Sequence, residues 1–466
     1  MTPLEVLIRN NKTKRPRIAI IGDAMRDEFV SGTIEYSSQE AHVPIFRQQS
    51  ATILPGGAAN LARQFRHWNA DITLFALIDQ PTEAILGCHD ISTARCVRLV
   101  SGTNPLKRRL YADDHPVVRE DIEQPNDGER ELPTLREKLL NQVRYFLPIR
   151  PDAVVISDYA KGIFDETMLR QVLDICREPK IPVIVDPHLS RGPAAYAGCS
   201  IFKPNAAYAH RYGLVRICDA IGANGGNVIL TKGHEPPEGV YQGKHFKCAT
   251  QPAVAARSVV GAGDCFACHL TLATVHDLTI AEAAEIADAA GRIYVQRTRN
   301  EPVMPCEVLR HIDPIAGKAI GPEELAEFLG HRHQGDKVVF TNGCFDLFHA
   351  GHLHTLRWAR QQGSLLVVGI NDDASVTRLK GAGRPAVDLA DRIRVLAGLA
   401  CVDWVIPFAE DTPEKLIRTL RPTTLVKGPD YDGRRIAGDE LVTDVCFAPA
   451  SGIAYHSSDL LTRGRR

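Results

Sequence analysis

The chain has 466 residues, which is too long for one ordinary hydrophobic core and predicts two to three domains. Its composition, with 44% hydrophobic and 24% charged residues, is typical of a soluble globular protein, and no apolar run is long enough to cross a bilayer. The formal net charge of −1 gives no electrostatic reason to expect nucleic acid or an anionic membrane as a partner.

The N-terminus and the cysteines both favour a cytoplasmic protein. Residues 1–17 mix apolar and basic side chains and contain neither a long apolar core nor a small-residue cleavage site. Twelve cysteines are scattered without a regular framework, which favours reduced and mostly buried thiols. Residues 265–269 (Cys-Phe-Ala-Cys-His) match the pattern of c-type haem attachment, but that chemistry requires export. Haem attachment and a thioredoxin-like redox pair remain as alternatives to a plain helix at this position.

The first predicted strand, residues 17–21, is followed by a Gly-Asp pair that ends at Asp23. An acid just past the carboxyl end of a strand lies where open α/β sheets bind ligands, although Gly-Asp is also a common turn. Further along, Gly56 and Gly57 precede a predicted helix that contains Asn60. Paired glycines let the backbone approach a ligand closely, and Asn60 can both donate and accept hydrogen bonds. The alternative is a loop and a helix start with no ligand.

Residues 96–119 alternate between polar and apolar side chains, which predicts a second group of strands. Strands inserted into an α/β domain commonly form a lid that excludes water from transfer chemistry. The basic residues of this segment are Arg98, Lys107, Arg108 and Arg109. They either face a ligand or lie on solvated faces.

Residues 152–162, 181–187 and 227–233 each contain an apolar strand followed by polar residues. Strands that alternate with helical patterns favour a parallel sheet covered on both faces. Farther along the chain, Gly261, Ala262, Gly263 and Asp264 open a predicted helix. Small residues at a helix start can aim backbone N–H groups at a phosphoryl group, and the Asp can accept the proton of an attacking hydroxyl. A glycine-rich helix start without chemistry is the alternative.

The order and spacing of these motifs resemble those of the ribokinase-like carbohydrate kinases. The string at residues 157–162, Ser-Asp-Tyr-Ala-Lys-Gly, is similar to the heptose kinase branch of that family. The resemblance implies a three-layer αβα domain with a small β lid. It also implies that Asp264 is the catalytic base and that Gly261, Ala262 and Gly263 supply the anion hole. The residues implied to border ATP are Asn205, Ala206, Ala207, Tyr208, Thr231 and Gly233. The residues implied to face the sugar phosphate are Asp23, Asp27, Gly56, Gly57, Asn60, Arg108 and Lys161.

Two short segments depart from the pattern of that family. The family usually carries Asp-x-Thr before Gly-Ala-Gly-Asp, where this chain has Ser258, Val259 and Val260. The family also usually carries Asn-x-x-Glu, and in this chain the position of the Glu is occupied by Tyr208. The missing Glu would help to organise Mg²⁺, and the missing Asp and Thr a monovalent cation, so we expect a weak kinase. Tyr208→Glu is expected to raise phosphorylation if the cavity accepts the shorter side chain. The alternative is a first domain that serves only as a scaffold.

Prolines mark the connection between the two halves of the chain, at Pro302, Pro305, Pro314 and Pro322. A short helix is predicted at residues 323–329. We expect a kinase domain at residues 1–312, a linker at residues 313–335 and a second domain at residues 336–466.

The second half opens with an apolar strand, a glycine-containing turn and a helix start at residues 338–358. The helix start offers unpaired N–H groups, and His349 and His352, three residues apart, can point donors from one side at a triphosphate. The alternatives are a core strand with two surface histidines, or half of a metal site. No nearby Cys or carboxylate has the spacing of a metal ligand, so we expect no protein-bound metal here.

This string resembles the signature of the nucleotidyltransferase superfamily, and most closely the adenylyltransferase half of the bifunctional heptose 7-phosphate kinase/heptose 1-phosphate adenylyltransferase family. The resemblance implies a Rossmann-like domain in which His349 and His352 are catalytic. The residues implied to bind the nucleotide are Thr341, Asn342, Gly343, Phe345, Lys380, Arg384, Arg392 and Lys427. It also implies that residues 456–461 form one wall of the nucleotide site.

Together the two resemblances imply a bifunctional enzyme that uses ATP and Mg²⁺. The first half would phosphorylate D-glycero-D-manno-heptose 7-phosphate at its anomeric hydroxyl, and the second would form ADP-heptose and pyrophosphate for lipopolysaccharide core. The lid implies a homodimer. Alternatives are an enzyme of the same architecture that uses another sugar phosphate or CTP, and a nucleotidyltransferase with a scaffold-only kinase domain.

Overall fold

A computed structural model of the protein describes residues 3–35, 43–113, 115–123, 131–149, 151–177, 179–297, 300–330, 337–431 and 433–450. The chain forms two compact units, Met1–Pro305 and Cys306–Arg466. In the described part of the chain, no helix is long and apolar enough to cross a membrane.

The first unit contains the strands of the predicted kinase domain. They are β1 (Arg17–Gly22), β2 (Ala24–Glu35), β3 (Ile45–Gly57), β4 (Asp71–Phe75), β5 (Leu77–Ile78), β6 (Val97–Arg98), β7 (Leu106–Ala112), β8 (His115–Ile122), β9 (Ala153–Ser157), β10 (Val183–Asp186), β11 (Ile201–Phe202), β12 (Asn227–Lys232), β13 (Glu235–Tyr241) and β14 (Lys244–Lys247). Its helices are α1 (Pro3–Thr13), α2 (Ala58–Gln64), α3 (Gln80–Cys88), α4 (Leu132–Phe146), α5 (Glu166–Arg177), α6 (Ala206–Tyr212), α7 (Leu214–Gly222), α8 (Ala262–Val275) and α9 (Ile280–Tyr294).

An eight-stranded sheet with the order β14-β13-β12-β11-β10-β9-β1-β4 forms the centre of this unit. The strands from β4 to β12 run parallel, and β13 and β14 are antiparallel additions at one edge. Strand β9 is buried throughout because helices cover both faces of the sheet: Val154 and Ile156 pack in one core cluster with α4 and α5, and α8 contacts β9 and β10. The predicted parallel, doubly covered sheet is confirmed.

The predicted β lid is a separate four-stranded sheet with the order β3-β2-β7-β8. Strand β2 pairs with β7 in parallel, and the two outer pairings are antiparallel. Every residue of the outer strand β8 is exposed, whereas the central strand β2 is mostly buried. The short strands β5 and β6 pair with each other. Among the described residues, each outer strand of the lid, β3 and β8, therefore pairs with a neighbouring strand along one edge only.

The second unit contains a five-stranded parallel sheet, as a Rossmann-like domain requires. Its strands are β15 (Val338–Gly343), β16 (Leu365–Asn371), β17 (Trp404–Phe408), β18 (Thr424–Lys427) and β19 (Asp444–Phe447), in the order β17-β16-β15-β18-β19. The helices are α10 (Pro305–Ile312), α11 (Pro322–Gly330), α12 (Ala350–Arg360), α13 (Asp373–Lys380), α14 (Leu389–Ala397) and α15 (Glu414–Leu420). The order reverses at β15, so its carboxyl end lies at a switch point where such sheets bind ligands.

The segment that connects the two predicted domains packs within the second unit. Ala319 forms a parallel backbone bridge with Val405, and the Lys318 ammonium donates to the Leu399 carbonyl at 2.9 Å. The buried ring of Trp404 lies 4.9 Å from the Arg310 guanidinium and 5.1 Å from the Phe328 ring. The unit boundary thus falls after Pro305, whereas the sequence predicts a domain end at residue 312 and a linker to residue 335. A proline-rich composition indicates a connecting segment, but it does not show which of the two units that segment packs against.

Candidate active sites

The predicted kinase motif forms the N-terminus of helix α8. Gly261 caps this helix in the left-handed conformation, with φ of 79°. A Cβ atom at this position would lie 2.4 Å from the Tyr294 hydroxyl and 2.7 Å from Nδ2 of Asn60, so only glycine fits. Asp264 follows in the first turn of the helix. The turn therefore directs its N–H groups and the Asp264 carboxylate toward the same region.

Asp264 is buried, and both of its carboxylate oxygens accept hydrogen bonds. Asn60 donates to Oδ2 at 2.6 Å, and the Tyr159 hydroxyl donates to Oδ1 at 3.0 Å. The pKa of Asp264 is raised to about 7, chiefly by burial and also by the nearby Asp186, although the hydrogen bonds from Asn60 and Tyr159 act to lower it. A carboxyl whose pKa lies near neutrality is suited to accept a proton from a sugar hydroxyl.

An ion pair between the buried Lys203 and the half-buried Asp186 borders this turn and was not selected from the sequence. Lys203 and Asp186 lie 3.0 Å apart, at the carboxyl ends of β11 and β10. A Cβ atom on Gly263 would lie 3.4 Å from the Asp186 carboxylate and 3.6 Å from the Lys203 ammonium. The pair therefore adjoins the predicted anion hole. Polar residues directly after two neighbouring parallel strands were the available sequence signal.

A cavity of about 450 Å³ opens beside the same turn. The predicted residues Thr231, Gly233, Ala262 and Gly263 line it. Its wall also includes Arg292, which donates hydrogen bonds to Asp288 and to the backbone carbonyls of Pro252 and His234. The cavity is large enough for part of a nucleotide and ends at the glycine turn.

The predicted ATP-bordering segment at residues 205–208 does not line this cavity. The Asn205 side chain caps helix α6 by accepting the Tyr208 N–H, and Asn205 forms a backbone bridge with Thr231. Ala206 and Ala207 are exposed at the start of the helix. Asn205 therefore supports the cavity wall through Thr231.

Tyr208 lies in the hydrophobic core. Its ring packs against Phe202 and Tyr212, and its hydroxyl donates to the Arg191 carbonyl at 2.7 Å. Burial raises the pKa of this hydroxyl. The expectation that a Glu at this position would serve the ATP site needs correction, because the side chain points into apolar surroundings that disfavour a carboxylate.

On the sugar side, the two glycines of β3 approach two of the predicted acids. A Cβ atom on Gly56 would lie 2.7 Å from the Asp27 carboxylate, and one on Gly57 would lie 2.4 Å from the Asp23 carbonyl. Gly57 also has φ of 58°. Asp27 is buried and forms an ion pair of 2.6 Å with Arg109. The glycines thus allow close packing around these acids.

Asp23 supports the turn that follows β9. Its carboxylate accepts the N–H groups of Tyr159, Lys161 and Ile163 at 3.0 to 3.1 Å. Burial nevertheless raises its pKa to about 6. Because its oxygens are engaged by backbone, Asp23 positions the turn, and the Lys161 ammonium of that turn pairs with Glu123.

The lid contributes cations through alternate residues of β7. Arg108, the predicted substrate residue, is held by Glu28 and Glu120. On the opposite face of the strand, the Lys107 ammonium lies 5.3 Å from the centre of the Tyr159 ring, and Arg109 pairs with Asp27. The structure therefore brings Lys107 and Arg109, but not Arg108, to the predicted sugar site. A strand period of two was the signal that could have separated them.

In the second unit, the two predicted histidines stack at the start of α12. His349 is the N-cap residue, and its ring centre lies 3.8 Å from that of His352. The Phe345 ring packs against His352 at 5.2 Å. Burial lowers the pKa of His352 to about 4, with His349 and Lys380 adding to the effect. The His352 imidazole is therefore neutral near pH 7 and can offer an N–H donor.

Lys427, at the end of β18, contacts the carboxyl end of β15. Its ammonium donates to the side-chain oxygen of Asn342 and lies 5.2 Å from the centre of the Tyr431 ring. Burial lowers the pKa of Lys427 to about 8. The buried Thr341 and the half-buried Asn342 and Gly343 continue the same strand. These residues therefore lie together at the carboxyl ends of two neighbouring parallel strands.

The other predicted cations have different surroundings. Arg384 pairs with the buried Asp346. Arg392 is almost fully buried and donates to the carbonyls of Cys344, Asn371 and Val387 and to Asp373. Lys380 is exposed at the end of α13. Arg392 therefore holds the backbone around the site, and Lys380 is the most accessible of these cations. The predicted wall at residues 456–461 lies outside the described residues.

Comparisons with known proteins give the same two domains. Residues 15–305 match the pfkB family of carbohydrate kinases, and residues 340–447 match the cytidylyltransferase-like family. The chain is 34% identical over 452 residues to the bifunctional protein HldE of Caulobacter vibrioides, with 91% of each chain covered. It is 31% identical to HldE of Helicobacter pylori, with 97% of this chain and 99% of that protein covered.

The chain belongs to the HldE family. The first unit also resembles phosphofructokinase-2 from Escherichia coli, with a TM-score of 0.50, 17% identity and coverage of 63% of this chain and 97% of that one, which supports the kinase fold. The resemblance stated from the sequence motifs is thus confirmed. As a member of the HldE family, the chain is a bifunctional enzyme with an ATP-dependent carbohydrate kinase domain and a nucleotidyltransferase domain.

Proposed function

We propose that the first unit transfers the γ-phosphoryl group of ATP to the anomeric hydroxyl of D-glycero-β-D-manno-heptose 7-phosphate. The second unit transfers the adenylyl group of another ATP to heptose 1-phosphate and releases pyrophosphate, for lipopolysaccharide core biosynthesis. The product of the first unit is the 1,7-bisphosphate, so its 7-phosphate must be hydrolysed between the two steps. The observation that carries the proposal is Asp264, which is buried with two hydrogen-bond donors and directly follows Ala262 and Gly263, two residues that line the cavity. An intact base next to this cavity supports a working kinase over a scaffold.

In the kinase step, Asp264 accepts the proton of the sugar hydroxyl as its oxygen attacks the γ-phosphorus. Asn60 and Tyr159 hold the carboxylate, and the N–H groups of Gly261 and Gly263 stabilise the charge on the phosphoryl oxygens, whereas the Ala262 N–H donates to the Val259 carbonyl. Lys107 and Arg109 of the lid face the sugar side and supply positive charge for its 7-phosphate. The sugar phosphate is thereby placed between the lid and the base.

In the adenylyl step, a 1-phosphate oxygen of the sugar attacks the α-phosphorus of ATP, and no covalent enzyme intermediate forms. His349 and His352 offer N–H donors at the helix start, and Lys427 supplies a cation from the neighbouring strand. Catalysis is by positioning and by charge stabilisation in a partly buried site.

Mg²⁺ is the cation that suits the ATP site of the first unit, because it binds few protein carboxylates and would take phosphate oxygens for the rest of its shell. In the first unit, Asp186 is the carboxylate beside the anion-hole turn, and its oxygen donor suits this ion. Bound Mg²⁺ supplies charge neutralisation of the triphosphate.

The chain forms a homodimer through the lid under this proposal. Apolar side chains are exposed on the two outer strands of the lid: Ile45, Ile53, Val117, Val118 and Ile122. A second copy would cover them. Light scattering of the wild type and of Val118→Asp tests the dimer. We expect the wild type to be dimeric and the variant to be monomeric.

A cytoplasmic location agrees with twelve cysteines that form no disulfide and with the requirement for ATP.

The activities are tested by mass analysis of products after incubation with heptose 7-phosphate, ATP and Mg²⁺, with heptose 1-phosphate supplied in a parallel reaction. We expect heptose bisphosphate and ADP in the first, and ADP-heptose and pyrophosphate in the second. Asp264→Asn should abolish only the first reaction. If the wild type gives no ADP above background, the kinase half of the proposal is wrong.

A further inference from the structure

The catalytic carboxylate of the kinase unit has a second hydrogen-bond donor, the Tyr159 hydroxyl, whose effect can be separated from that of Asn60. The Tyr159 hydroxyl donates to Oδ1 of Asp264 at 3.0 Å, across 105 residues of sequence. Asn60 already holds the other oxygen. Each oxygen of the carboxylate that would accept the sugar proton therefore already has a hydrogen-bond donor.

The position of Tyr159 is set by a buried network. Its N–H donates to Asp23, and the next residue, Ala160, has φ of 53° and donates its N–H to Asp158. The Asp158 carboxylate is held in turn by Arg191 at 2.8 Å and by the Tyr196 hydroxyl at 2.7 Å. A non-glycine residue in the left-handed region is retained only where surrounding contacts determine it. The turn thus presents the Tyr159 hydroxyl in one place.

The outer side of the Tyr159 ring meets the lid. The Lys107 ammonium of β7 lies 5.3 Å from the ring centre, within the range of a cation–π contact. Tyr159 is consequently the side chain through which the lid contacts the catalytic base.

We propose that Tyr159 is a positioning residue of the sugar kinase reaction: its hydroxyl keeps Asp264 ionised and oriented, and Lys107 holds its ring when the lid covers the sugar. The proposal rests on the proposed kinase function. During transfer, the sugar hydroxyl loses its proton to Asp264, the new bond forms between that oxygen and the γ-phosphorus, and the bond to the β,γ-bridging oxygen breaks. ADP leaves with the electron pair, and Tyr159 keeps its own proton.

Several charged and titratable groups face Asp264 and enter the balance. Asp186 opposes its ionised form, Lys203 favours it, and Tyr294 and Cys268 also lie within electrostatic range. A hydroxyl that donates to the carboxylate stabilises the charged form and lowers its pKa. Removing this hydroxyl therefore raises the pKa of Asp264, so the fraction of ionised base falls at and below neutral pH.

Tyr159→Phe tests the proposal in the full-length chain, because it removes only the hydroxyl. We expect the acid limb of the kinase pH profile to move up by about one pH unit, with kcat/KM lower by about fivefold at pH 7 and close to wild type at high pH. Carboxyl ¹³C NMR of aspartate-labelled protein gives a readout without substrate, with the Asp264 signal assigned by its loss in Asp264→Asn. Its titration should shift by the same amount, and adenylyl transfer should not change.

Tyr196→Phe is the matched control, since it removes a buried hydroxyl that supports the same turn through Asp158 without touching Asp264. The pKa of Asp264 measured by NMR should be the same in this variant as in the wild type. An unchanged Asp264 titration in Tyr159→Phe, or an equal shift in Tyr196→Phe, would overturn the proposal whatever the substrate is. A shifted titration in a protein whose wild type releases no ADP would retain the contact but refute both the role in catalysis and the kinase function.

Discussion

The ammonium group of Lys427 donates a hydrogen bond to the side-chain oxygen of Asn342 at 2.5 Å. This contact joins the carboxyl ends of β18 and β15. Burial lowers the pKa of Lys427 to about 8, so this side chain is neutral in a substantial fraction of the molecules in mildly alkaline solution. A triphosphate that binds here would favour the charged ammonium and raise this pKa again.

ATP binding to the second unit is therefore expected to take up protons near pH 8. Calorimetric titrations in buffers of different ionisation enthalpy measure this uptake, and Lys427→Met should reduce it by a sizeable fraction of a proton. Lys380→Met, which removes an exposed cation of the same unit, should weaken binding but retain the uptake. Equal uptake by wild type and Lys427→Met would place Lys427 outside the nucleotide site.

His352→Ala is expected to lower the rate of adenylyl transfer by about 100-fold and to leave sugar phosphorylation unchanged. The reason is that the variant lacks the imidazole N–H that donates to the negative charge developing on the triphosphate. Since its pKa is about 4, the imidazole acts as a neutral donor near pH 7. His352→Asn, whose amide also donates an N–H, should therefore retain more activity than His352→Ala. Separate assays of the two half-reactions check this, and an equal loss in both would contradict two independent sites.

Asp264→Asn is expected to abolish sugar phosphorylation and to stabilise the first unit above neutral pH. Burial raises the folded-state pKa of Asp264 from 3.8 to about 7. The ionised form is thus disfavoured in the folded protein: stability is greatest below the unfolded pKa and is lost as pH rises through the folded value. Thermal unfolding at about pH 8 should show a gain on the order of 1–3 kcal/mol in the variant. The gain should vanish near pH 4, and a pH-independent difference would argue against a buried ionised Asp264.

Tyr208→Glu is expected to destabilise the kinase unit without raising phosphorylation. The new carboxylate would lie among aromatic rings and cost about 3 kcal/mol or more near neutral pH. Tyr208→Phe, which removes only the hydrogen bond to the Arg191 carbonyl, should cost about 1–2 kcal/mol. Chemical denaturation and ADP release measure both effects. A stable Tyr208→Glu protein with faster phosphorylation would show that this side chain can reach the ATP site.

Residues 306–330 are expected to be needed for a stable second unit. A fragment that starts at residue 306 retains Arg310 and Phe328 against Trp404, whereas one that starts at residue 337 exposes this ring. The shorter fragment should unfold at a lower temperature and show red-shifted tryptophan fluorescence. A fragment from residue 313 keeps α11 but loses Arg310 and should be intermediate. Equal melting temperatures for all three would show that these contacts do not contribute.

The sequence alone determined the features that depend on neighbouring residues. The helix start with Gly261 and Asp264, and the pairing of His349 with His352, follow from local rules, because three-residue spacing places side chains together on a helix. Two α/β domains and the lid could be predicted for the same reason, since strand and helix periods are local. The order of motifs then identified the family.

Only the tertiary structure decided which distant groups meet. The contact between Tyr159 and Asp264 spans 105 residues, and the choice of Lys107 over Arg108 depends on a one-residue strand register. Burial assigned Tyr208 to the core and Arg392 to backbone support, although the family resemblance implied nucleotide contacts for both residues. The physical reason is that burial, and the partner that satisfies a buried polar group, are set by the packing of whole elements, which no single segment of sequence contains.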